Sequence, residues 1–234
     1  MTISKMSLEV KKSWKQIAKI AVLSVLAILF LIYVIRVVTF ENTYYSEKEG
    51  SERAVTDVAV DTEELVEVQP TEEEVKEYIV AADMPRYLTI SKLGVTKARI
   101  IPVGINANNE LGTPNNIFDV GWYDLSAKPG QNGTVLIDGH NGGPNVHGVF
   151  KDLPVLASGD IIEIERGDGV VFKYSVVENN SVLLSEANAY MSTALKSPVA
   201  GKQSVTLISC TGEWSQVQYT YLSRQFTRAV LIEE

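Results

Sequence analysis

The stretch VTLISCTG, residues 205–212, is the part of the sequence from which the fold of this chain is predicted. Val205 to Ile208 is apolar and rich in β-branched residues, and it ends against small polar residues and a glycine. This pattern is typical of a buried strand that runs out into a loop. Cys210 stands at that point and is the only cysteine of the chain, so it cannot form an internal disulfide. Because unpaired cysteines are often small buried hydrophobes, the stretch by itself leaves open whether the thiol is reachable.

Charge is distributed unevenly along the chain. Residues 1–40 have a balance of +5, residues 41–84 of −11 and residues 85–234 of −2, which together give the net charge of −8. The acidity therefore belongs to the middle segment, and the longer C-terminal part is close to neutral. Since no basic stripe marks that part, nucleic acid is not an expected partner.

An apolar run near the N-terminus predicts a membrane anchor. Ile20 to Ile35 contains no charged residue, Lys19 and Arg36 flank it, and three further apolar residues follow. With those flanking side chains extended toward the interface, about 20 residues can lie in hydrocarbon, which is enough to span a bilayer. A cleaved signal peptide would have a shorter apolar region and a small-x-small cleavage site, and the sequence VVTFEN after the run contains no such site. We therefore expect a transmembrane anchor at residues 20–40.

The charges on either side of the anchor predict its orientation. The lysines precede the apolar run and the acidic residues follow it. By the positive-inside rule, residues 1–19 are a cytoplasmic N-terminus, and the rest of this single-pass protein lies outside, at the cell membrane. Extracytoplasmic proteins usually carry paired cysteines or none. In that compartment the unpaired Cys210 is a candidate reactive thiol.

The segment after the anchor predicts a spacer. Residues 41–84 are acidic and polar, with few residues able to build a core, which is typical of an extracytoplasmic linker. Thr71 and Glu74 have the spacing of a capping box, which predicts a short helix from Thr71 to about Ala81. That helix would be a plain lead-in, pack on the domain or cover a groove, and the sequence leaves this choice open. Residues 85–234 remain as one folded domain, large enough for a proper core.

The folded domain consists of short β-rich runs separated by turn signals. Glycine-rich or asparagine-rich stretches, such as residues 106–109 and 167–169, separate most of the runs. Many short strands with such punctuation predict an all-β domain, either an antiparallel barrel or a sandwich. Two short helices are expected, near residues 149–153 and 187–195. The predicted strands are Tyr87–Ser91, Ala98–Val103, Thr134–Ile137, Ile161–Glu165, Val170–Val177, Ser204–Ser209 and Phe226–Ile232.

Four polar residues accompany Cys210 as candidates for chemistry. His140 follows an apolar run at the entrance to a glycine-rich loop, and His147 lies seven residues later. Arg224 and Arg228 are four residues apart in a β-rich run, so alternation puts both on one face of a strand and does not choose between them. Histidines in loops are often structural and arginines are often surface charges. The residue types alone therefore leave all four open.

Two motifs resemble those of the sortases, membrane-anchored cysteine transpeptidases of bacterial cell surfaces. Thr206-Leu207-Ile208-Ser209-Cys210 is similar to the TLxTC signature of that family, with a serine in place of the second threonine, and Ile137-Asp138-Gly139-His140 is similar to its histidine-bearing strand end. The order His, Cys, Arg also matches, with 70 residues from His140 to Cys210 and 14 from Cys210 to Arg224. The resemblance covers residues 85–234 and is closest to classes D, E and F.

The resemblance implies both a fold and a site. The fold would be all-β, a single closed sortase-type β-barrel with one or two short helices, preceded by an N-terminal transmembrane helix. Cys210 would attack the Thr–Gly carbonyl of an LPxTG-like sorting signal, His140 would act as acid and base, and Arg224 would donate to the oxyanion. The resemblance favours His140 over His147, and it favours Arg224 over Arg228 because Arg224 stands just before the final β run.

The same resemblance implies which partners the protein has, and it gives no support for a cofactor. The partners would be surface proteins that carry the sorting signal and an amine acceptor such as a cell-wall precursor. No cofactor is expected. Calcium activates some sortases, but the candidate ligands here, Asp119, Asp124 and the Asn106–Glu110 loop, are scattered along the sequence. One cysteine and two histidines offer no zinc spacing.

Other functions remain open at this point. An extracytoplasmic cysteine peptidase would use the same thiol chemistry, and so would an L,D-transpeptidase-like enzyme. The latter carry a His-Gly-Cys motif, whereas Ser209 and Thr211 flank Cys210 here. A noncatalytic, membrane-tethered β-domain that binds a surface polymer or peptide is the alternative of another class. In that case Cys210 would be buried, and it would not converge with His140 and Arg224.

Overall fold

The computed structural model of the protein describes residues 65–106 and 110–233. The predicted cytoplasmic N-terminus, the anchor at residues 20–40 and the linker up to residue 64 lie outside the described residues. Within the two described ranges, no helix combines the length and the apolar character needed to cross a bilayer. The anchor therefore stays a prediction.

Eight strands and two α-helices form in residues 65–106 and 110–233. In chain order they are α1 Glu72–Glu77, β1 Pro85–Ile90, β2 Val95–Val103, β3 Val120–Tyr123, β4 Thr134–Gly139, β5 Ile161–Arg166, β6 Val171–Leu183, α2 Leu184–Ala194, β7 Ser204–Ser215 and β8 Thr220–Leu231. A 3₁₀ turn, Ser91–Leu93, follows β1, and another, Leu153–Val155, precedes β5. All seven predicted strands are present, and β3 is an additional strand that the sequence did not predict.

The strands close into a barrel in the order β1-β2-β3-β4-β7-β8-β6-β5, and β5 pairs back to β1. This confirms the all-β barrel and excludes the sandwich. The prediction of an antiparallel arrangement throughout is wrong, because β2 pairs with β3 and β4 pairs with β7 in parallel. Parallel neighbours need long crossover connections, which the chain supplies in residues 104–119 and 140–203.

Strands β4 and β7 lie side by side and are buried on both faces. Alternate residues point into the barrel core: Val135, Ile137, Val205 and Leu207. The residues between them, Leu136 and Ile208 among them, lie on the outer face in a second apolar cluster. Burial on both faces explains why residues 205–208 show no clear polar alternation. The ends of β4 and β7 are therefore held firmly where they reach the surface.

Helix α2 covers the outer cluster. Tyr190 of α2 lies against Phe226 of β8, with ring centroids 4.7 Å apart, and Ala194 is fully buried. The helix predicted at residues 187–195 is thus confirmed, and it begins three residues earlier than predicted, at Leu184.

The segment near residues 149–153 forms a turn in place of the predicted helix. Only the 3₁₀ turn Leu153–Val155 is present there. The backbone N–H groups of residues 149 and 150 donate to the carbonyls of Ile117 and His140. Because these groups bind neighbouring loops, the segment connects the histidine loop to the barrel.

The segment before β1 begins with the predicted capping box. The Thr71 N–H donates to the Glu74 carboxylate at 2.7 Å, and the Thr71 hydroxyl accepts from the Glu74 N–H at 3.2 Å. Helix α1 is shorter than predicted, because the chain turns to an extended conformation at Tyr78. The Tyr78 hydroxyl donates to the Ile100 carbonyl of β2 at 2.5 Å. Helix α1 and the residues that follow it therefore lie against β2.

Candidate active site

Cys210 lies in β7 directly opposite Arg224 of β8. Residues paired in this way point their side chains to the same face of a sheet. On this outer face the preceding pair is Ile208 and Phe226, which belong to the cluster under α2. Cys210 stands at the edge of that cluster and keeps part of its surface exposed. The thiol is therefore neither fully buried nor fully solvated.

His140 follows the end of β4 on the neighbouring strand. Asp138 of β4 is the parallel partner of Ile208 of β7 and forms the last pair of that ladder, and His140 follows Asp138 by two residues as Cys210 follows Ile208. The loop after β4 also contacts β7 directly, because the Asn141 side chain donates to the Cys210 carbonyl at 2.9 Å. The segments that carry the histidine and the cysteine, which are far apart in sequence, thus lie side by side.

The imidazole of His140 is held by a backbone group. Its Nε2 atom lies 2.8 Å from the carbonyl oxygen of Pro114. A carbonyl oxygen only accepts, so Nε2 carries the hydrogen in this contact. Nδ1 is therefore the nitrogen left to exchange a proton with a reacting group.

Two close contacts fix β4 against its surroundings at this end. The Ser209 hydroxyl donates to the Gly139 carbonyl at 2.9 Å, so the serine in the cysteine motif has a structural hydrogen bond. A Cβ atom at Gly139 would lie 2.5 Å from Cδ2 of Phe150. Only glycine therefore fits directly before His140 with the Phe150 ring in its present position.

The Cys210 thiol has a raised pKa. Burial is the main cause, Arg224 lowers the pKa and Asp138 raises it. Since an unperturbed thiol is already mostly protonated at neutral pH, Cys210 is so to a greater extent. A reaction at this sulfur must draw on a minor thiolate population or remove the proton as the new bond forms.

The Arg224 guanidinium is bound to its own hairpin. Nη1 donates to the carbonyls of Tyr221 at 2.9 Å and Ser223 at 3.0 Å, and Nη2 donates to the Thr220 hydroxyl at 3.2 Å. These bonds hold a planar and permanently charged donor group at the Cys210 end of β7 and β8. The site thus combines a thiol of β7, a fixed cation of β8 and an imidazole in the residue directly after β4.

A family model described as a sortase domain matches residues 88–232. The chain belongs to the sortase family. None of the curated proteins compared with this sortase matches it. Among solved structures it is similar to a Sortase D5 transpeptidase from Clostridium perfringens, with 24% identity over 70% of this chain and 91% of that chain and a TM-score of 0.45. It is also similar to the SrtA sortase from Actinomyces oris, with 19% identity over 65% of this chain and 82% of that chain and a TM-score of 0.46.

Arg228, the other arginine that the sequence offered as a candidate, binds groups away from Cys210. It is buried, with 4% of its surface exposed, and its guanidinium pairs with Glu178. It also donates to the carbonyls of Thr193 at 3.1 Å and Lys196 at 2.8 Å. These carbonyls lie at the C-terminal end of α2, where carbonyl groups lack partners within the helix. Arg228 therefore caps α2 and holds it on the barrel.

Replacing Arg228 with methionine is expected to lower the free energy of unfolding by about 3 kcal/mol, because two carbonyls at the end of α2 and the Glu178 carboxylate lose their donor. Denaturant unfolding followed by circular dichroism measures the difference. Arg166→Met is the matched control, because Arg166 pairs with Asp168 in a partly exposed turn and its loss should cost less than about 1 kcal/mol. Equal small effects of the two substitutions would contradict the capping role.

Asp138 is a residue of the site that sequence analysis did not single out. It lies in β4, two residues before His140, and its Oδ2 accepts from the Thr113 hydroxyl at 2.9 Å. Burial raises the pKa of Asp138 to about 6, although the Thr113 hydrogen bond and the charges of His140 and Arg224 lower it. The signal available in the sequence was an acidic residue within an otherwise apolar run.

Val66 and Glu67, which precede α1, contact two segments near His140: residues 115–117 and the loop after the histidine. The Glu67 carboxylate accepts from the backbone N–H and the side-chain amide of Asn145, at 2.9 and 2.7 Å, in the loop after His140. Val66 pairs its backbone with the segment that follows Pro114. The Pro114 carbonyl binds the imidazole of His140, and Asn145 lies in the loop after His140. Val66 and Glu67 therefore contact both the segment that binds the imidazole and the loop that follows the histidine.

Two other candidates from the sequence have structural partners. His147 is exposed, and its backbone bridges to Gly142 across the loop after β4. Asp119, one of the candidate calcium ligands, is bound by Arg99 through both carboxylate oxygens, at 2.9 and 2.7 Å. In the part of the chain that the structure describes, no three His, Cys, Asp or Glu side chains are grouped as a metal site.

Proposed function

We propose that this sortase is a cysteine transpeptidase that cleaves an LPxTG-like sorting signal and transfers the acyl group to an amine on the cell surface. The observation that carries the proposal is the pairing of Cys210 with Arg224, with His140 at the end of the adjacent strand. A nucleophile, an acid–base group and a fixed cation are the groups that acyl transfer through a covalent intermediate uses. Membership in the sortase family supports transpeptidase chemistry in general.

In the first half of the proposed reaction, the Cys210 thiolate attacks the carbonyl carbon of the Thr–Gly peptide bond. The negative charge that develops on the carbonyl oxygen accepts hydrogen bonds from Arg224, whose guanidinium stays charged at every working pH. As the C–N bond breaks, His140 gives a proton to the departing glycine amine. The sulfur is then joined to the threonine as a thioester.

In the second half, an acceptor amine attacks the thioester carbonyl. His140, now neutral, takes a proton from the amine, the new C–N bond forms and the C–S bond breaks to return the Cys210 thiolate. Water in place of the amine would give hydrolysis by the same steps. The reaction class therefore depends on which acceptor reaches the thioester first.

The proposal includes a location and partners. We infer a single-pass protein of the cell membrane with a cytoplasmic N-terminus and an extracytoplasmic catalytic domain. The charges on either side of the apolar run at residues 20–35 support this orientation. The partners are surface proteins that carry the sorting signal and an acceptor such as an amine-bearing cell-wall precursor.

The test uses the full chain in detergent micelles, an LPxTG-type peptide and a glycine-based amine, with the products identified by mass spectrometry. We expect a product that joins the peptide up to its threonine to the amine and that forms only when both are present. Hydrolysis alone with every amine would overturn transpeptidation in favour of a cysteine peptidase. No product from any peptide of this type would overturn the proposal in favour of a noncatalytic β-domain.

A further inference from the structure

The loop after β4 folds back on itself and binds the backbone of the residues at its base. The Phe150 N–H donates to the His140 carbonyl at 2.9 Å, and the Gly148 N–H donates to the Asn141 carbonyl at 2.8 Å. Residues 143–146 form the turn of this loop, closed by a backbone hydrogen bond of 2.9 Å between its first and last residue. The returning arm of the loop therefore fixes the backbone of His140.

A carboxylate from outside the loop binds this turn. Glu67 Oε1 accepts from the backbone N–H groups of Asn145 and Val146, at 2.9 and 3.3 Å, and Oε2 accepts from the Asn145 side-chain amide at 2.7 Å. These hydrogen bonds lower the pKa of Glu67, so the group is ionised at neutral pH, and hydrogen bonds to an ionised acceptor are the stronger ones. A Cβ atom at Gly143 would collide with Glu67 Oε1. The glycine therefore leaves room for the carboxylate.

The residues on either side of Glu67 bind the segment that contacts the imidazole. Three hydrogen bonds of 3.0–3.1 Å join residues 66–68 to residues 115–117, two of them between backbone groups and one from the Asn116 side-chain amide. The residue just before this segment, Pro114, binds the His140 imidazole through its carbonyl at 2.8 Å. Residues 66–68, called here the 66–68 segment, thus contact both the segment that binds the ring and the turn of the loop that fixes the backbone.

Apolar packing does not account for the 66–68 segment. Val66 and Val68 are exposed, and Glu67 is half-buried, so the segment removes little apolar surface from water. Its hydrogen bonds go instead to the two places that hold His140. A displacement of about 1 Å in a group that transfers protons can cost about a hundredfold in rate, so these contacts matter more for the reaction than for the fold.

We propose that the 66–68 segment positions His140 for proton transfer, with Glu67 as the positioning residue. This inference rests on the transpeptidase function proposed above, and it adds to the catalytic unit residues that the sequence assigned to the linker. His140 must give a proton to the departing amine and take one from the acceptor at Nδ1, while Nε2 stays on the Pro114 carbonyl. A ring released from this carbonyl can rotate, and Nδ1 then has no fixed direction.

The first test follows the Nε2 proton of His140 by nuclear magnetic resonance, on the full chain in micelles and at a pH where the ring is neutral. In the wild type the hydrogen bond to Pro114 protects this proton from exchange with water. We expect Glu67→Ala to raise the exchange rate about tenfold, in a chain that circular dichroism shows to be folded. Glu73→Ala, at an exposed position of α1, is the matched control and should leave the rate unchanged. An unchanged rate in Glu67→Ala would overturn the proposal.

The second test separates positioning from stability through ligation kinetics with an LPxTG-type peptide and a glycine-based amine. We expect Glu67→Ala to lower kcat about tenfold and to keep KM within about twofold, because a displaced imidazole slows proton transfer and leaves peptide binding as it was. Glu67→Gln keeps an acceptor oxygen for the turn and should recover part of the loss. A higher KM with unchanged kcat would contradict a positioning role.

Gly143→Ala displaces the carboxylate without changing Glu67. The backbone of Gly143 lies outside the left-handed region, and the nearest atoms to an added Cβ all belong to Glu67. We expect the same faster exchange and lower kcat as in Glu67→Ala, and a double variant no worse than either single variant. Additive losses would overturn the proposal. The exchange measurement requires no sorting signal, so a failure of transpeptidation and a failure of this proposal are distinguishable.

Discussion

Replacing Cys210 with alanine is expected to abolish amine-dependent ligation, a loss of at least about 10⁴-fold. The thioester that links the two halves of the proposed reaction cannot form without the sulfur, and the chain holds no second cysteine to replace it. The side chain is small and only partly buried, so the free energy of unfolding should change by less than about 1 kcal/mol. Product mass spectrometry and circular dichroism measure the two quantities.

Cys210→Ser is the matched variant for this experiment. It keeps the size and hydrogen-bonding ability of the side chain but replaces the thiol by a hydroxyl that is far harder to ionise. We expect it to be folded and nearly as inactive as the alanine variant. Ligation at the wild-type rate in either variant would show that the nucleophile lies elsewhere.

Replacing Arg224 with alanine is expected to lower kcat for ligation by about 10²–10³-fold, because the developing oxyanion loses its charged donor. The thiol should also become harder to ionise, since Arg224 lowers its pKa, and the alkylation rate of Cys210 should fall. Arg224 is only partly buried, so water can replace its hydrogen bonds to its own hairpin, and we expect little loss of stability. Steady-state kinetics and thermal unfolding separate these effects.

Arg224→Lys tests whether charge alone is sufficient. A lysine restores the positive charge near Cys210 but lacks the planar fork that donates to two acceptors at once. We expect the alkylation rate to recover and most of the loss in kcat to remain. Full activity in Arg224→Ala would exclude an oxyanion role and require another donor for that charge.

The strands that carry the site were predictable because their burial is unusual. Residues 135–137 and 205–208 lie between the barrel core and α2, and a strand buried on both faces has a mainly apolar run that sequence patterns detect. Strand β3 escaped prediction because it has only four residues, Val120–Tyr123, and Gly121 interrupts it. The ends of β7 and β8 were also missed, since polar residues continue both strands into a long hairpin.

The resemblance favoured Arg224 over Arg228, but the residue pattern by itself did not separate them, and the strand register gives the physical difference between the two positions. Both residues are on the same face of β8, but the pairing with β7 brings Arg224 opposite Cys210 and Arg228 opposite Thr206. The second position lies under the end of α2, where the guanidinium is buried. A β-rich run of sequence shows neither the strand register nor the helix that covers one end of the strand. Residue spacing alone therefore could not assign different roles to Arg224 and Arg228.

Asp138 and Glu67 escaped prediction for a related reason. The environment of Asp138 comes from three strands and the loop that carries Thr113, and Glu67 contacts Asn145, far along the chain. Glu67 is an acidic residue in an acidic segment and gives no local signal of such a contact, whereas Asp138 interrupts an apolar run but nothing in that run shows what the carboxyl contacts. Long-range contacts of this kind are set by the closed barrel and not by the residues around each position.

The parallel pairing of β4 with β7 ties the appearance of the site to a late stage of folding. His140 and Cys210 are 70 residues apart in the chain, and β5, β6 and α2 lie between them. Closing such a long loop costs chain entropy, and pairings between distant segments form slowly. A chain in which β4 has not yet paired with β7 therefore has the thiol without the imidazole beside it. Only molecules with a closed barrel have the thiol, the imidazole and the guanidinium in one site.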